Sequence, residues 1–267
     1  MTDLLGTAPE WAERFHAARE IIREAGRMAL DYFERYDTLE IEMKTSRQDL
    51  VSIADKAVER FIRAAVAERF GDDALVGEEQ GLTPGGSRFC WLVDPIDGTG
   101  CFLHGLPSWG VVIAVLEDGC PVLGLIYEPC ADRLYWAVAG HGAFLDGAPI
   151  RVDSKTPFDG GFIAVGASRA ASSIHVGKVI EGVLAAGGIY MRNGSAALTL
   201  ANVAAGRYLA FYEPILSSWD CVAGLLLVAE AGGEADDFLA GEGVLDKRYC
   251  FAATRQAAPI LREIVFR

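Results

Sequence analysis

The sequence has little that would build a zinc site or a disulfide framework. Its 267 residues include only four histidines, and its six cysteines show neither C-x-x-C spacing nor a histidine at zinc-finger spacing. Scattered cysteines of this kind are typical of reduced thiols rather than of a disulfide-bonded secreted domain. The cysteines are Cys90, Cys101, Cys120, Cys130, Cys221 and Cys250. We therefore expect neither structural zinc nor disulfides.

Positive charge and long apolar runs are also scarce. With 24 Lys and Arg residues against 37 Asp and Glu residues, the formal net charge is −13, and a surface of that sign repels nucleic acid and anionic membranes. No segment reaches the roughly 18 uncharged apolar residues of a membrane span, and the first residues lack the pattern of a secretory signal. The sequence predicts a cytoplasmic protein with no nucleic-acid or membrane partner, in which an anionic substrate needs a local cation.

Two amphipathic helices are predicted in the first 70 residues. Residues 7–36 carry apolar side chains at steps of three and four, with Pro9 in the first turn and with Thr7 and Glu10 at capping-box spacing. A second helix is predicted over residues 53–70, and Gly71 follows it as a stop signal. Residues 43–52 are interpreted as a polar connection.

The rest of the chain is predicted to form a sheet first and then alternating strands and helices. Short runs rich in Val, Ile, Leu and aromatic residues predict strands and hairpins between residues 74 and 139. From about residue 162, strands and helices alternate to the end. With 51% hydrophobic residues the chain can bury a large core. We expect one domain over residues 1–267, α+β up to about residue 155 and α/β from about residue 156, and the residues alone support a mixed α/β class.

Two aspartates at the end of a predicted buried strand are the first chemical signal. Asp94 and Asp97 follow "CWLV", and Pro95 stiffens the backbone between them, so both carboxylates should project from one corner. Carboxylates there are costly unless a cation neutralises them. Because D-P and D-G are also ordinary turn dipeptides, a solvated loop is the alternative.

Three further features favour a cation site. Glu78 and Glu79 end another apolar strand, and either could join the two aspartates. Asp220 opens a long apolar helix, where its ordinary role would be to compensate the helix dipole. The turn Asp97-Gly98-Thr99 offers backbone N–H groups and a hydroxyl to a phosphate. An oxygen-only donor set suits Mg²⁺ or Mn²⁺ rather than zinc, and such ions promote the hydrolysis of phosphate esters.

Five ordered motifs resemble the inositol monophosphatase family, a group of Mg²⁺-dependent, lithium-sensitive phosphatases. The two longest are "WLVDPIDGTGCF" and "WDCVAGLLLVAEAGG", which resemble W-x-x-D-P-x-D-G-T-x-N-F and W-D-x-A-x-G…E-A-G-G and differ from them at Cys101 and Val222. The others are "GEE", "DLVSIAD" and "GSAAL", and the resemblance covers about residues 10–265. It implies the layered α-β-α-β-α sandwich of the inositol monophosphatase/fructose-1,6-bisphosphatase type, a bound Mg²⁺ (or Mn²⁺) and a homodimer.

The resemblance also implies roles for individual residues. Asp49, Thr99 and Glu78 would be catalytic, with Asp49 and Thr99 orienting the attacking water and helping to deprotonate it. Lys44 stands where the family often has a lysine near the metals, and a flexible, solvated lysine is the alternative. The metal ligands would be Glu78, Asp94, the Ile96 carbonyl, Asp97 and Asp220. The substrate would contact Asp97, Gly98, Thr99, Gly194, Ser195, Ala196, Glu213 and Asp220.

The chain departs from the family pattern at several positions. Cys101 stands where the family has Asn, which removes amide donors and supplies only a weak thiol. Gly100 stands where Thr, Ser or Lys is frequent, and Met191 stands where the family has Arg, with Arg192 one place later. His104 follows the family pattern, and we expect it to support the structure rather than to bind metal. These changes affect packing and the substrate pocket.

The resemblance leaves the substrate open. Inositol 1-phosphate is our first expectation, because Glu213-Pro214 has no basic cluster nearby in the sequence. The alternatives are histidinol phosphate, fructose 1,6-bisphosphate and adenosine 3′,5′-bisphosphate. An alternative from another class is a regulatory partner of the transcription machinery, and a third is an inactive enzyme, suggested only by Cys101.

Overall fold

The computed structural model describes residues 8–35, 41–43, 50–168, 170–240 and 243–267. The α-helices of these residues are α1 (Pro9–Phe33), α2 (Ile53–Arg69), α3 (Thr99–Leu103), α4 (Ser173–Ala185), α5 (Ala196–Ala204), α6 (Ser218–Glu230) and α7 (Ala258–Phe266). None of the described helices is long and apolar enough to cross a membrane.

The described strands form three sheets. The first half contains β1 (Ile41–Met43), β2 (Leu50–Ser52), β3 (Ala74–Gly77), β4 (Gly81–Thr83), β5 (Phe89–Asp97), β6 (Gly110–Glu117), β7 (Cys120–Glu128), β8 (Arg133–Val138), β9 (Gly142–Leu145) and β10 (Ala148–Ile150). The second half contains β11 (Phe162–Val165), β12 (Ile189–Met191), β13 (Ala210–Leu216), β14 (Glu234–Ala235) and β15 (Arg248–Ala253).

The largest sheet has the strand order β10-β9-β8-β7-β6-β5-β3-β4. Neighbouring strands pair antiparallel except β3 and β5, which pair parallel. Strand β5 is buried on both faces: Trp91 and Val93 pack on one side of the sheet and Leu92 on the other. Because neither face meets water, this strand is a continuous apolar run and does not alternate with polar residues.

The second sheet has the order β12-β11-β13-β15-β14 and is mixed. Strand β11 pairs parallel with β12 and β13, while β15 pairs antiparallel with β13 and β14. The predicted alternation of strands and helices after residue 162 is confirmed, except that the unpredicted two-residue strand β14 precedes β15 with no helix between them.

The helices complete five layers. Helices α1 and α2 cover the outer face of the large sheet, α5 and α6 lie between the two sheets, and α4 and α7 cover the outer face of the second sheet. The middle layer is rich in Ala, Leu and Val, since α6 is in contact with sheet on both sides. The expected α-β-α-β-α sandwich is confirmed.

One local prediction near the N-terminus is wrong, and another concerns a residue outside the described ranges. Helix α1 begins with Pro9 at its first position and Ala8 at the N-cap, whereas Thr7, the first residue of the predicted capping box, lies outside the described residues. Residues 41–43 and 50–52, predicted partly as polar connection, pair as the small antiparallel sheet β1–β2. Its strands have three residues each, which is too short for a clear period-2 signal.

Candidate active site

Glu78 and Asp94 are brought together by the parallel pairing of β3 with β5. In this register Gly77 lies opposite Val93, and the Glu78 N–H donates to the Val93 carbonyl oxygen over 3.3 Å. Parallel strands run in the same direction, so the residues that follow a matched pair lie side by side at the same edge of the sheet. The residues that follow Gly77 and Val93 are Glu78 and Asp94.

Asp220 reaches the same edge from the middle helical layer. It lies in the first turn of α6, where its Oδ2 accepts a hydrogen bond from the Ser217 N–H at 2.8 Å. Glu78, Asp94 and Asp220 each offer one carboxylate oxygen, and these oxygens all lie within 4.8 Å of one another. An oxygen-only donor set of this size fits a hard divalent cation such as Mg²⁺.

The electrostatics of this group also fit a cation. Burial, followed by the charges of Glu78, Asp97, Asp220 and Asp55, raises the pKa of Asp94 well above its usual value. Burial, followed by the charge of Glu78, does the same to the pKa of Asp220. Carboxylates in this position repel one another when ionised, and a divalent cation would remove that repulsion.

Asp97 joins the two halves of the chain. Its carboxylate accepts hydrogen bonds from the Ser195 hydroxyl, from the Ala196 N–H at 3.2 Å and from the Ala197 N–H at 2.7 Å. These donors lie at the N-terminus of α5, where a carboxylate is stabilised by the helix dipole. Burial raises the pKa of Asp97 to about 6, and the hydrogen bonds from Ser195 and the helix backbone act in the opposite direction.

Thr99 lies between the turn and a buried carboxylate of α2. Its hydroxyl can donate a hydrogen bond to the Ile96 carbonyl oxygen, at 3.0 Å, or to Oδ1 of Asp55, at 3.3 Å. Asp55 is 1% exposed. Gly98 precedes Thr99 with a φ of 96°, and a Cβ there would be 2.8 Å from the Ser108 carbonyl oxygen, so the turn requires glycine.

The acidic edge opens into a cleft of about 1260 Å³ between the two sheets. The side walls include Gly194, Ser195, Ala196 and the buried Glu213. Burial, together with the charge of Asp97, raises the pKa of Glu213 to about 7.

The cleft also has a cationic rim that the sequence analysis did not anticipate. Arg192 and Lys247 line the cleft and are exposed. Arg192 is close enough to Glu213 to oppose the rise in the pKa of that carboxyl group. Lys247 is 55 positions from Arg192 in the sequence, and no local pattern links the two.

Of the other residues singled out in the sequence, two lie outside the described residues, one belongs to the acidic group and one is exposed. Asp49 and Lys44 lie outside the described residues. Glu78, rather than Glu79, belongs to the acidic group. His104 is exposed, with Nδ1 2.7 Å from the Gly100 carbonyl oxygen.

The structure also places Cys101, which departs from the family pattern, and Asp55, which has no predicted role. The Cys101 thiol donates to the Asn193 carbonyl oxygen at 3.5 Å, so Cys101 packs against the loop that leads into α5. Asp55 ends the motif "DLVSIAD", and the sequence predicts no separate role for it. Its acidic side chain in the first turn of α2 is the local signal that could have identified it.

The layered fold and the acidic cleft define a metal-dependent phosphoric monoester hydrolase. The chain belongs to the inositol monophosphatase family, whose sequence model matches residues 10–266. It is 38% identical over 226 residues to inositol-1-monophosphatase of Mesorhizobium japonicum, covering 84% of this chain and 85% of that one. It is 38% identical over 218 residues to Nus factor SuhB of Xylella fastidiosa, covering 81% and 78%.

Solved structures agree with the sequence comparison. The extragenic suppressor protein suhB of Bartonella henselae superposes with a TM-score of 0.88 at 31% identity, covering 95% of this chain and 98% of that one. Other relatives are named histidinol-phosphatase and fructose-1,6-bisphosphatase/inositol-1-monophosphatase. The relatives are therefore named either as phosphatases of different substrates or as a Nus factor.

Proposed function

We propose that this protein hydrolyses the phosphomonoester of a small polyol, inositol 1-phosphate first, in a reaction that requires Mg²⁺. The observation that carries the proposal is the group Glu78, Asp94 and Asp220, whose oxygens lie within 4.8 Å of one another in the cleft. Glu213 supports a polyol, because its buried carboxyl group lines the same cleft and can accept hydrogen bonds from substrate hydroxyls.

The three clustered carboxylates would hold Mg²⁺, joined by Asp97 and the Ile96 carbonyl. A bound Mg²⁺ supplies polarisation of the phosphate, a lowered pKa for a water molecule and stabilisation of the leaving oxygen. Asp97 is held at the N-terminus of α5 by Ser195 and by two backbone N–H groups. This restraint orders one wall of the site before substrate arrives.

Thr99 would orient the attacking water. When its hydroxyl proton points to Asp55 or to the Ile96 carbonyl, the Oγ1 lone pairs remain to accept a hydrogen bond from water. Water would then attack phosphorus directly as the bond from phosphorus to the ester oxygen breaks, and the departing alcohol oxygen would take up a proton originating from that water, with no covalent enzyme intermediate. Asp49 is proposed as the second group that orients this water.

The proposal is tested by measuring phosphate release from four substrates. These are inositol 1-phosphate, histidinol phosphate, fructose 1,6-bisphosphate and adenosine 3′,5′-bisphosphate, each with Mg²⁺ and with a chelator. We expect release only with Mg²⁺ and fastest from inositol 1-phosphate. Equal release in chelator would contradict the metal requirement, and preference for another substrate would reassign the pocket.

Replacing Thr99 with valine removes the hydroxyl while keeping the branched shape. We expect kcat to fall about 100-fold, as is usual when a group that handles a proton is lost, because valine cannot orient the water. Thr99→Ser restores a hydroxyl and should recover most of the activity. The measurement is kcat for both variants at saturating Mg²⁺, and equal rates for valine and serine would show that Thr99 acts only by packing.

A substrate with a second phosphate is a second candidate, favoured by the rim residues Arg192 and Lys247. A charge-assisted hydrogen bond contributes about 1.5–3 kcal/mol, which corresponds to about tenfold or more in KM. We therefore expect Lys247→Met and Arg192→Met to raise KM for bisphosphates at least about tenfold and to leave KM for inositol 1-phosphate within about twofold. An equal effect on both substrate types would argue against a second anionic subsite.

A regulatory role is a candidate from another class. Several relatives carry the name Nus factor SuhB, and the net charge of −13 favours a protein partner over RNA. An Asp94→Asn variant that lacks catalysis but still performs the cellular role would support this candidate. The expected homodimer and cytoplasmic location stay predictions.

A further inference from the structure

Glu59 is a fully buried carboxylate outside the acidic cleft. It lies in α2 with 0% exposure. Its Oε2 accepts a hydrogen bond from the Glu79 N–H at 2.7 Å, and its Oε1 accepts one from the Gln80 N–H at 3.0 Å. Both donors belong to the turn between β3 and β4, and Glu78 is the first residue of that turn.

Arg63, one helical turn further along α2, ties the same carboxylate to the β3–β4 hairpin. Its Nε is 2.8 Å from Oε1 of Glu59. Its two terminal nitrogens donate to the Gly81 carbonyl oxygen at 2.5 Å and to the Thr83 hydroxyl at 2.8 Å. The side chains of α2 therefore hold the second and third residues of the turn and both ends of β4.

Gly77 permits this close approach. A Cβ at position 77 would lie 2.5 Å from Cδ of Glu59 and 2.8 Å from a terminal nitrogen of Arg63, and real Cβ atoms do not come so close. The last residue of β3 therefore has to lack a side chain for the carboxylate to reach the turn.

A buried ion pair is a weak way to stabilise a hairpin, because an apolar pair of similar volume is often at least as stable. What Glu59 supplies that an apolar side chain cannot is two directed acceptors for the backbone that follows Glu78. In metal sites generally, replacing a group that orients a ligand from outside the coordination shell weakens metal affinity about 10- to 100-fold.

We propose that Glu59, supported by Arg63, is a positioning residue that sets the backbone of the 78–80 turn so that the Glu78 carboxylate faces Asp94 and Asp220. The inference rests on the metal site of the proposed function. It predicts that loss of Glu59 weakens metal binding itself and not only folding.

The test is Glu59→Gln, with Mg²⁺ binding measured by isothermal titration calorimetry and unfolding by thermal denaturation. Glutamine keeps the shape but turns an NH₂ group toward one of the two backbone donors. We expect the Kd for Mg²⁺ to rise about 10- to 100-fold. Unchanged Mg²⁺ affinity in a folded Glu59→Gln variant would overturn the proposal, however large its loss of thermal stability.

Asp73→Asn is the matched control. Asp73 directly precedes β3 and is buried in an ion pair with Arg14, at 2.8 Å, with further hydrogen bonds from Ser87 and Trp91. Its replacement should lower the melting temperature but leave the Kd for Mg²⁺ within about twofold. If Asp73→Asn weakened Mg²⁺ binding as much as Glu59→Gln, the effect would be one of general stability and the proposal would fail.

Two further samples separate this inference from the proposed function. The unmodified protein should bind Mg²⁺, and Glu78→Gln should lose most of that binding. If the unmodified protein binds no Mg²⁺, the proposed function falls and this inference falls with it, whereas intact binding in Glu59→Gln alone removes only the inference. Should Glu59→Gln fail to fold, Arg63→Lys replaces it, because lysine cannot reach all three acceptors, and unchanged affinity there would equally count against the proposal.

Discussion

Asp94→Asn is expected to release phosphate about 1,000-fold more slowly than the unmodified protein, since Asp94 is a proposed metal ligand and loss of such a ligand removes several kcal/mol of transition-state stabilisation. The substitution is nearly isosteric. The Ile96 N–H donates to Oδ1 of Asp94 at 2.9 Å, and an Asn side-chain oxygen can accept the same hydrogen bond. The loss would therefore report the charge of the ligand rather than a collapsed turn.

The same variant should be more stable than the unmodified protein when both are in chelator. Asp94 is 2% exposed, and burial together with four neighbouring carboxylates raises its pKa well above the usual value. Replacing it with a neutral amide removes that repulsion, and each kcal/mol gained raises the melting temperature by about 2–4 °C. In saturating Mg²⁺ the order should reverse, because only the unmodified protein gains from the metal.

Thermal unfolding with and without Mg²⁺, alongside phosphate release, checks both halves of this expectation. Asp118→Asn in the β6–β7 turn is the control, since Asp118 is exposed and its φ of 50° is one that Asn tolerates. That variant should match the unmodified protein in both assays. A variant at Asp94 that is inactive and also less stable in chelator would indicate a structural role for this carboxylate instead.

The second large effect expected is a pH-dependent stabilisation by Mg²⁺. The pKa of Asp97 is raised to about 6 and that of Glu213 to about 7, from ordinary values of 3.8 and 4.5. Between about pH 4 and 7 the folded state therefore binds more protons at these groups than the unfolded state does. Their contribution makes the metal-free protein less stable as pH rises through that window.

Mg²⁺ should act in the opposite direction. Metal binding requires ionised carboxylates, so stabilisation by Mg²⁺ grows as pH rises. At a Mg²⁺ concentration 100 times Kd the gain is about 2.7 kcal/mol, which corresponds to about 5–10 °C in melting temperature for a chain of this size. We expect a gap of that size at pH 8 and a gap near zero at pH 5.

Melting curves with chelator or Mg²⁺ across this pH range provide the measurement, with NaCl added to equal ionic strength so that general screening is matched. Asp94→Asn should show a much smaller gap at every pH. A gap that is constant with pH, or larger at pH 5, would show that the stabilising ion does not bind to these carboxylates.

The local pattern predicted most of the regular structure, and the exceptions have physical causes. Strand β5 and its hairpin partners were recognisable because burial on both faces selects long apolar runs. The short strands β1, β2, β4, β9, β10 and β14 were missed, since segments of two to four residues carry little readable period. The parallel pairing of β3 with β5 was also not predicted, because β4 lies between them in sequence.

In the candidate site, too, some features were predicted from the sequence and others were visible only in the structure. Asp94 and Asp220 were identified from the sequence because each acid stands where an apolar element begins or ends. The residue pattern alone left Glu78 and Glu79 as alternatives and the family resemblance implied Glu78, and the register of β3 on β5 shows how Glu78 comes to lie in the group. The hydrogen bonds to Glu59 and the cationic rim of Arg192 and Lys247 depend on elements far apart in the chain, and no spacing in the sequence indicates them.

The sequence by itself determined the family and the chemical type of the donors, because oxygen-bearing residues in ordered motifs are local features. Only the tertiary structure decided which of them meet. Asp97 accepts from the backbone of Ala197, 100 positions away, and Asp220 joins Glu78 only because α6 lies between the two sheets. Such contacts depend on strand register and layer packing, and these are properties of the whole fold.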